Sequence, residues 1–261
     1  TWSGKFFLAA QMLLFALSLE VAASGNATES ESIRLQAEVE LVTAATRGDS
    51  QMADALLQRG VDPNTRAKDP NGRTVLMLAT IGEHADVVDL LLDAGATVDL
   101  RDKKKLSALH WAAIRRQTSI AGLLLENGAN VDSREEKDAT PLLYAVATRN
   151  LELADVLLKH GADPNVESTE NKVTPLLIAV EQQDVKLTER LLNAGADVNQ
   201  PNLDGQSPLM SAAEKGDKMV AMLLLAHGAD PNFKDNKGRV AMTHARTNGH
   251  QDIVQLLTGE D

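Results

Sequence analysis

The chain has 261 residues, 43% of them hydrophobic and 24% charged, and a formal net charge of −11. That acidity argues against nucleic acid as a partner, because phosphate binding needs clustered basic residues. The absence of cysteine excludes disulfides, thiolate catalysis and cysteine-ligated zinc, and an aromatic content of 3% makes any core aliphatic.

The chain opens on an apolar segment. Lys5 precedes the run Phe6–Leu19, Glu20 ends it, and the small residues Val21, Ala22 and Ala23 follow. This is the order of a secretory signal, and the run is short for a membrane span, which needs about 20 apolar residues. Residues 1–23 are therefore expected to be a signal peptide, with cleavage after Ala23 and Ala27 as the other site. The protein would then be extracytoplasmic, either periplasmic or secreted. If the segment stays uncleaved it would tether the chain to a membrane. If it is a helix capping the first repeat, the protein would be cytoplasmic. Residues 24–32 are small and polar and are expected to form a flexible linker. Within them Asn26-Ala27-Thr28 matches the glycosylation tripeptide, a weak signal.

Beyond this point a phrase recurs. Two leucines, two variable residues and a glycine are followed by Asp-Pro-Asn or a relative of it. The copies are Leu56-Leu57 with Gly60, Leu91-Leu92 with Gly95, Leu124-Leu125 with Gly128, Leu157-Leu158 with Gly161, Leu191-Leu192 with Gly195, and Leu224-Leu225 with Gly228. The glycines are 35, 33, 33, 34 and 33 residues apart. A fixed period of this size signals a stacked solenoid. A second phrase keeps step: Thr74–Ala79, Ser107–Ala112, Thr140–Ala145, Thr174–Ala179, Ser207–Ala212 and a degraded Val240–Ala245. Its Thr or Ser is expected to cap a helix start. Pro141, Pro175 and Pro208 follow at the position where a helix tolerates proline, and the alanines let neighbouring helices approach closely. Leu153, Val156 and Leu157 have the spacing of one buried helical stripe, and Gly161 ends that helix with a left-handed turn.

The paired phrases resemble the ankyrin repeat, whose signature is Thr-Pro-Leu-His-x-Ala at a period of about 33. The resemblance covers roughly Glu38 to Leu257. It implies an all-α solenoid of about seven helix-turn-helix units: 33–68, 69–101, 102–134, 135–168, 169–201, 202–234 and 235–261. The end units depart from the pattern, as caps with a polar outside should, and Met242 and His244 are expected to be half-buried there. Small insertions fall around Arg66-Ala67-Lys68 and around Ser168.

No catalytic or cofactor signature is present: no phosphate-binding glycine loop, no nucleophile elbow, no zinc helix, no calcium loop. The six histidines are scattered, and His110, which alone keeps the histidine of the family phrase, is expected to be a structural hydrogen-bonder between repeats. The chain is thus expected not to be an enzyme and to need no cofactor or metal. By resemblance it is a monomeric module that binds another protein through loop tips and the concave face of its first helices, for instance an inhibitor or immunity-type binder. The competing class is a membrane-tethered spacer. The strongest local signal is basic: Arg101, Lys103, Lys104 and Lys105 on a loop tip, with Arg115 and Arg116 at the end of the following helix. Six basic residues in an acidic chain suit an acidic partner segment. Lys105 replaces the glycine usual at that turn, a change expected to distort the tip. Trp111 and Tyr144, equivalent positions in adjacent units, are candidate anchors, with core packing as the alternative. The tips at Glu135-Glu136, Glu170-Asn171 and Asp235-Asn236 are acidic or neutral, so the groove is expected to run from positive to negative along the array.

Overall fold

Thr74, Ser107, Thr140, Thr174 and Ser207 each have extended backbone and accept a hydrogen bond from the N–H three residues on. Each therefore starts a helix as the sequence leads one to expect. The computed structural model describes residues 29–169 and 171–259, and the helices fall into pairs. These are α1 (Glu29–Arg47) with α2 (Ser50–Gln58), α3 (Val75–Ile81) with α4 (Ala85–Asp93), and α5 (Ala108–Ile114) with α6 (Thr118–Glu126). Next come α7 (Pro141–Ala147) with α8 (Leu151–Lys159), α9 (Pro175–Glu181) with α10 (Val185–Asn193), α11 (Pro208–Lys215) with α12 (Lys218–Ala226), and α13 (Ala241–Asn248) with α14 (Gln251–Thr258). Among the described residues there is no strand, only an isolated antiparallel bridge between Arg66 and Thr74. No described helix is long and apolar enough to cross a membrane.

First helices stack on first helices and second on second: α5 packs against α3 and α7, and α6 against α4 and α8. The repeated alanines explain the close stacking, since Ala79, Ala112, Ala145, Ala179, Ala212 and Ala245 are all fully buried. The first leucine of each Leu-Leu pair fills the space between the two layers, and Leu91, Leu124, Leu157, Leu191 and Leu224 are likewise fully buried. Each such side chain contributes about 1.5–3 kcal/mol of burial, but only against a neighbouring unit, which is why the array is one continuous core.

The Asp or Asn that closes each phrase has a use that the phrase alone does not reveal. Asn64 accepts from the Thr97 N–H at 2.7 Å, Asp99 from Asn130 at 3.0 Å, and Asp132 from Asp163 at 3.1 Å. Asn165 accepts from Asp197 at 2.7 Å and Asn199 from Asp230 at 2.8 Å. Every link joins one unit to the next, so a buried apolar stack is reinforced by a polar ladder along its edge.

Three expectations are corrected, and three more fall outside the described residues. Helix α1 begins at Glu29, so residues 29–32, expected to close the 24–32 linker, are its first turn. His244 is not half-buried but 3% exposed, held between Asp235 and Glu214, while Met242 is half-buried as expected. Lys105 does not distort its tip: it takes φ 61°, beside 63° for Gly72 and 77° for Gly205 at the same turn. Its N–H donates to the Asp102 carbonyl at 3.0 Å, as Gly205 does to Asn202 at 3.0 Å. The 1–23 signal segment, the Asn26 tripeptide and Glu170 lie outside the described residues.

Candidate functional site

The loop tips are built on a carboxylate or amide at one fixed position. Asp102 Oδ1 accepts from the N–H groups of Lys104 at 2.9 Å and Leu106 at 3.0 Å. Asp69, Glu135, Asn202 and Asp235 clamp their own tips in the same way. Burial works against the charge of Asp235. The N–H groups of Arg239 and Lys237, the Arg239 guanidinium and His244 outweigh it and lower its pKa to about 2. Asp69 is also lowered, again against burial, through the Arg73 side chain and the N–H groups of Arg73 and Gly72. Neighbouring tips are then joined backbone to backbone: Lys103 N–H to Asn71 C=O at 2.9 Å, Glu136 to Lys104 at 3.3 Å, Thr169 to Lys137 at 3.0 Å, Leu203 to Asn171 at 3.1 Å, and Asn236 to Asp204 at 3.1 Å. The row is therefore a rigid rail, not a set of independent loops.

Beside the rail lie the first helices. On α5 the buried residues are Ala108, Leu109, His110, Ala112 and Ala113, which leaves Trp111, Ile114 and Arg115 facing outward. The same reading along the array gives a floor of Leu78, Trp111, Tyr144, Ile178, Ser211 and His244. The open row three residues further on is Ile81, Ile114, Ala147, Glu181, Glu214 and Thr247. The groove is apolar and aromatic in its first half and carboxylate-bearing in its second.

Of the candidate residues, Lys103, Lys104 and Lys105 are exposed together on the third tip, and among the described residues none of them forms an ion pair. Trp111 is half-buried against the core and donates its indole N–H to Asp102 Oδ2 at 3.3 Å, which couples the groove floor to the lysine tip. Tyr144 is also half-buried, and its ring meets His110 edge-on at 6.1 Å rather than Trp111. Burial, and then the charge of Glu135, raises the pKa of its phenol. The two arginines stand apart from the lysines, at the far end of a seven-residue helix, about 10 Å along its axis. Arg115 is exposed, whereas Arg116 is committed to structure: its guanidinium donates to the Thr148 carbonyl of the next unit at 2.8 Å, as Arg149 does to Gln182 at 2.9 Å.

His110 is buried completely. Its Nδ1 lies 2.9 Å from Ser107 Oγ and accepts from the Ser107 N–H at 3.2 Å, and its Nε2 is 3.2 Å from the Ala139 carbonyl of the following unit. Both ring nitrogens are thus committed, and this Ser–His pair is a bridge between repeats, not a nucleophile and base. Desolvation lowers its pKa to about 4, against the raising effect of the Ala139 carbonyl and the Glu135 charge, so it is neutral at pH 7. Among the described residues no cluster of His, Asp or Glu could hold a metal. The sequence reading put Trp111 and Tyr144 at one position of the repeat but missed the tip clamp and the small Ser211 in the same column. Aligning the six copies of the second phrase would have exposed Ser211 as the smallest residue in its column.

Comparison with known proteins agrees with this geometry. A family model for three consecutive ankyrin repeats matches residues 41–135, 94–168, 127–202 and 176–261. The ankyrin repeat domain of Bcl-3, a member of the IkappaB protein family, superposes with a TM-score of 0.75 at 28% identity, covering 83% of this chain and 97% of that one. The ankyrin repeat domain of human ASB11 gives a TM-score of 0.69 at 26% identity, covering 83% and 96%. An ankyrin repeat-containing protein of Treponema pallidum (strain Nichols) is 42% identical over 72 residues, which is 28% of this chain and 24% of that protein's length.

Proposed function

Because the chain belongs to the ankyrin-repeat family, a non-catalytic binding fold, we propose that it is a monomeric protein-binding module that docks an acidic segment of its partner on the third loop tip. The observation that supports this reading is the trio Lys103, Lys104 and Lys105, exposed and, among the described residues, without an ion pair, on a tip whose backbone is fixed on both sides. A pre-ordered charged surface loses little entropy on binding, and charge complementarity steers the encounter. Trp111 and Arg115 extend this patch into the groove, and Tyr144 continues it. The finer form of the proposal is an inhibitor or immunity-type protein that occludes a toxin or enzyme. With residues 1–23 as a signal, that target would lie outside the cytoplasm.

The test is a crosslinking pull-down with the full chain, run separately on envelope and cytosolic extracts, beside the variant Lys103→Glu/Lys104→Glu/Lys105→Glu. One stoichiometric partner, retained from the envelope extract and lost at low salt with the variant, is the expected result. A partner held equally by both proteins would remove the lysine tip from the site. A partner found only in cytosol would overturn the export reading, and no saturable partner would favour a tethered spacer.

A further inference from the structure

In the column that forms the groove floor, five units carry a bulky side chain, Leu78, Trp111, Tyr144, Ile178 or His244, and the sixth carries Ser211. The missing volume opens a cleft of about 360 Å³ between α9 and α11, with Ser211, Leu177 and Val173 on its floor and Leu203, Glu181 and Asp204 at its rim. Three features make it a built site. Ser211, only 2% exposed, places a small polar side chain in the lining where the other units place a bulky one. Leu203 is 60% exposed, although its backbone is held by the Asn171 carbonyl at 3.1 Å and by the Asn236 side chain at 3.0 Å. An apolar side chain is thus displayed on a fixed support at the mouth of the cleft. Lys215 pairs with Glu181 at 3.1 Å, and among the described residues Asp204 has no ion pair.

We propose that this cleft is a second subsite, which takes one bulky apolar side chain of an extended peptide segment and a lysine or arginine next to it. The apolar side chain would cover Leu177, Val173 and Leu203. The peptide backbone would lie over Ser211, within reach of its hydroxyl, and the neighbouring cation would sit against Asp204. The volume lies at the low end of ligand-binding cavities, enough for a single large side chain and too small for a folded element. The proposal rests on the protein-binding reading above and adds to it. From the third tip to the sixth is three helix spacings, about 30 Å, which about nine extended residues cover. A partner with an acidic stretch that far from its apolar–basic pair would bind in one direction only.

The experiment pans a displayed library of random peptides about 16 residues long on the full chain. Enriched peptides are then synthesised, and their affinities are measured by fluorescence anisotropy for the parent protein, Ser211→Tyr and Leu203→Ser. The tyrosine restores the volume that Tyr144 supplies in its own unit, and Leu203→Ser alters only an exposed side chain, so either variant suffices if the other misfolds. Enriched peptides should carry Lys or Arg beside a bulky apolar residue and should lose about tenfold or more in affinity for each variant. Equal binding to parent and variants, enrichment of some other motif, or no enrichment overturns the subsite. A cellular partner released by the lysine reversal but indifferent to Ser211→Tyr also overturns it, while leaving the protein-binding reading intact. Failure of every protein and peptide to bind sinks both.

Discussion

Replacing His110 with leucine should invert the order of stability between neutral and acid pH. The parent folds with a neutral imidazole whose pKa is lowered from 6.5 to about 4, chiefly by desolvation. Between those values the unfolded chain binds a proton that the native state refuses, so native stability falls as pH falls through that window. About 2.5 units at 1.36 kcal/mol each give a ceiling of about 3 kcal/mol, fully felt near pH 4 and absent above about 6.5. Against this, leucine at position 110 forfeits the hydrogen bonds to the Ser107 N–H at 3.2 Å and to the Ala139 carbonyl at 3.2 Å. That loss is about 1–2 kcal/mol. The array itself shows that leucine fits, since Leu143 and Leu177 hold the same position in the next two units and are buried. In urea titrations the variant should therefore be less stable than the parent by about 1–2 kcal/mol at about pH 7, and equal or more stable at about pH 4.5. Carboxylates titrate in both proteins and cancel in the difference. A difference between the two proteins that stayed constant with pH would refute the reasoning, because it would mean that His110 is not desolvated in the native state.

Gln117 stands at the start of α6 without capping it, and both polar atoms of its side chain are buried with no partner. Since Asn150 and Asp184 do cap at the same position, Gln117→Asp should stabilise the fold by about 1 kcal/mol, read as a raised urea midpoint. Lys105→Gly should relieve a left-handed non-glycine residue and stabilise by about 1 kcal/mol. If the midpoint does not rise, the Lys105 backbone is not strained. Asn165→Ala removes the acceptor of the Asp197 N–H at 2.7 Å and a donor to the Gly195 carbonyl at 3.1 Å. It should cost about 1–2 kcal/mol and speed amide exchange at Asp197, and unchanged exchange there would deny the ladder its role.

What was legible in the sequence was whatever repeats. The caps at Thr140 and Thr174, the alanine column and the period all recur, so six copies average out the local ambiguity that blurs a single helix. Properties of one unit were less legible, because they depend on what the next unit supplies. Arg116 reads as one more member of a basic cluster until the neighbouring Thr148 carbonyl is placed 2.8 Å away. Asp102 reads as a stray acid between Arg101 and the lysines until its two backbone donors are seen. The helical first turn at residues 29–32 was hidden by a polar composition that suits a linker and an exposed helix end equally well.

The division between repeated and unrepeated residues also says where binding specificity can reside. The polar edge ladder, the clamp at each tip and the buried leucines hold every unit in nearly the same geometry, so changing any of them disturbs the stack before it alters recognition. Positions that belong to none of these three sets are the second and third tip residues, the floor column and the open row beyond it. In this chain those positions hold Lys103 and Lys104, Trp111 and Tyr144, then Leu203, Asp204, Ser211 and Glu181. The scaffold fixes their spacing to within one helix-packing distance per unit, so a ligand reads them as a linear series. A charge reversal at the third tip and a filled cleft at the sixth should therefore act independently on affinity, their effects adding in free energy, because the two sites lie well beyond the 7–10 Å or so within which substitutions couple. A double variant whose loss in affinity fell well short of the sum would show that partner contacts, or motions of the stack, join the two ends of the groove.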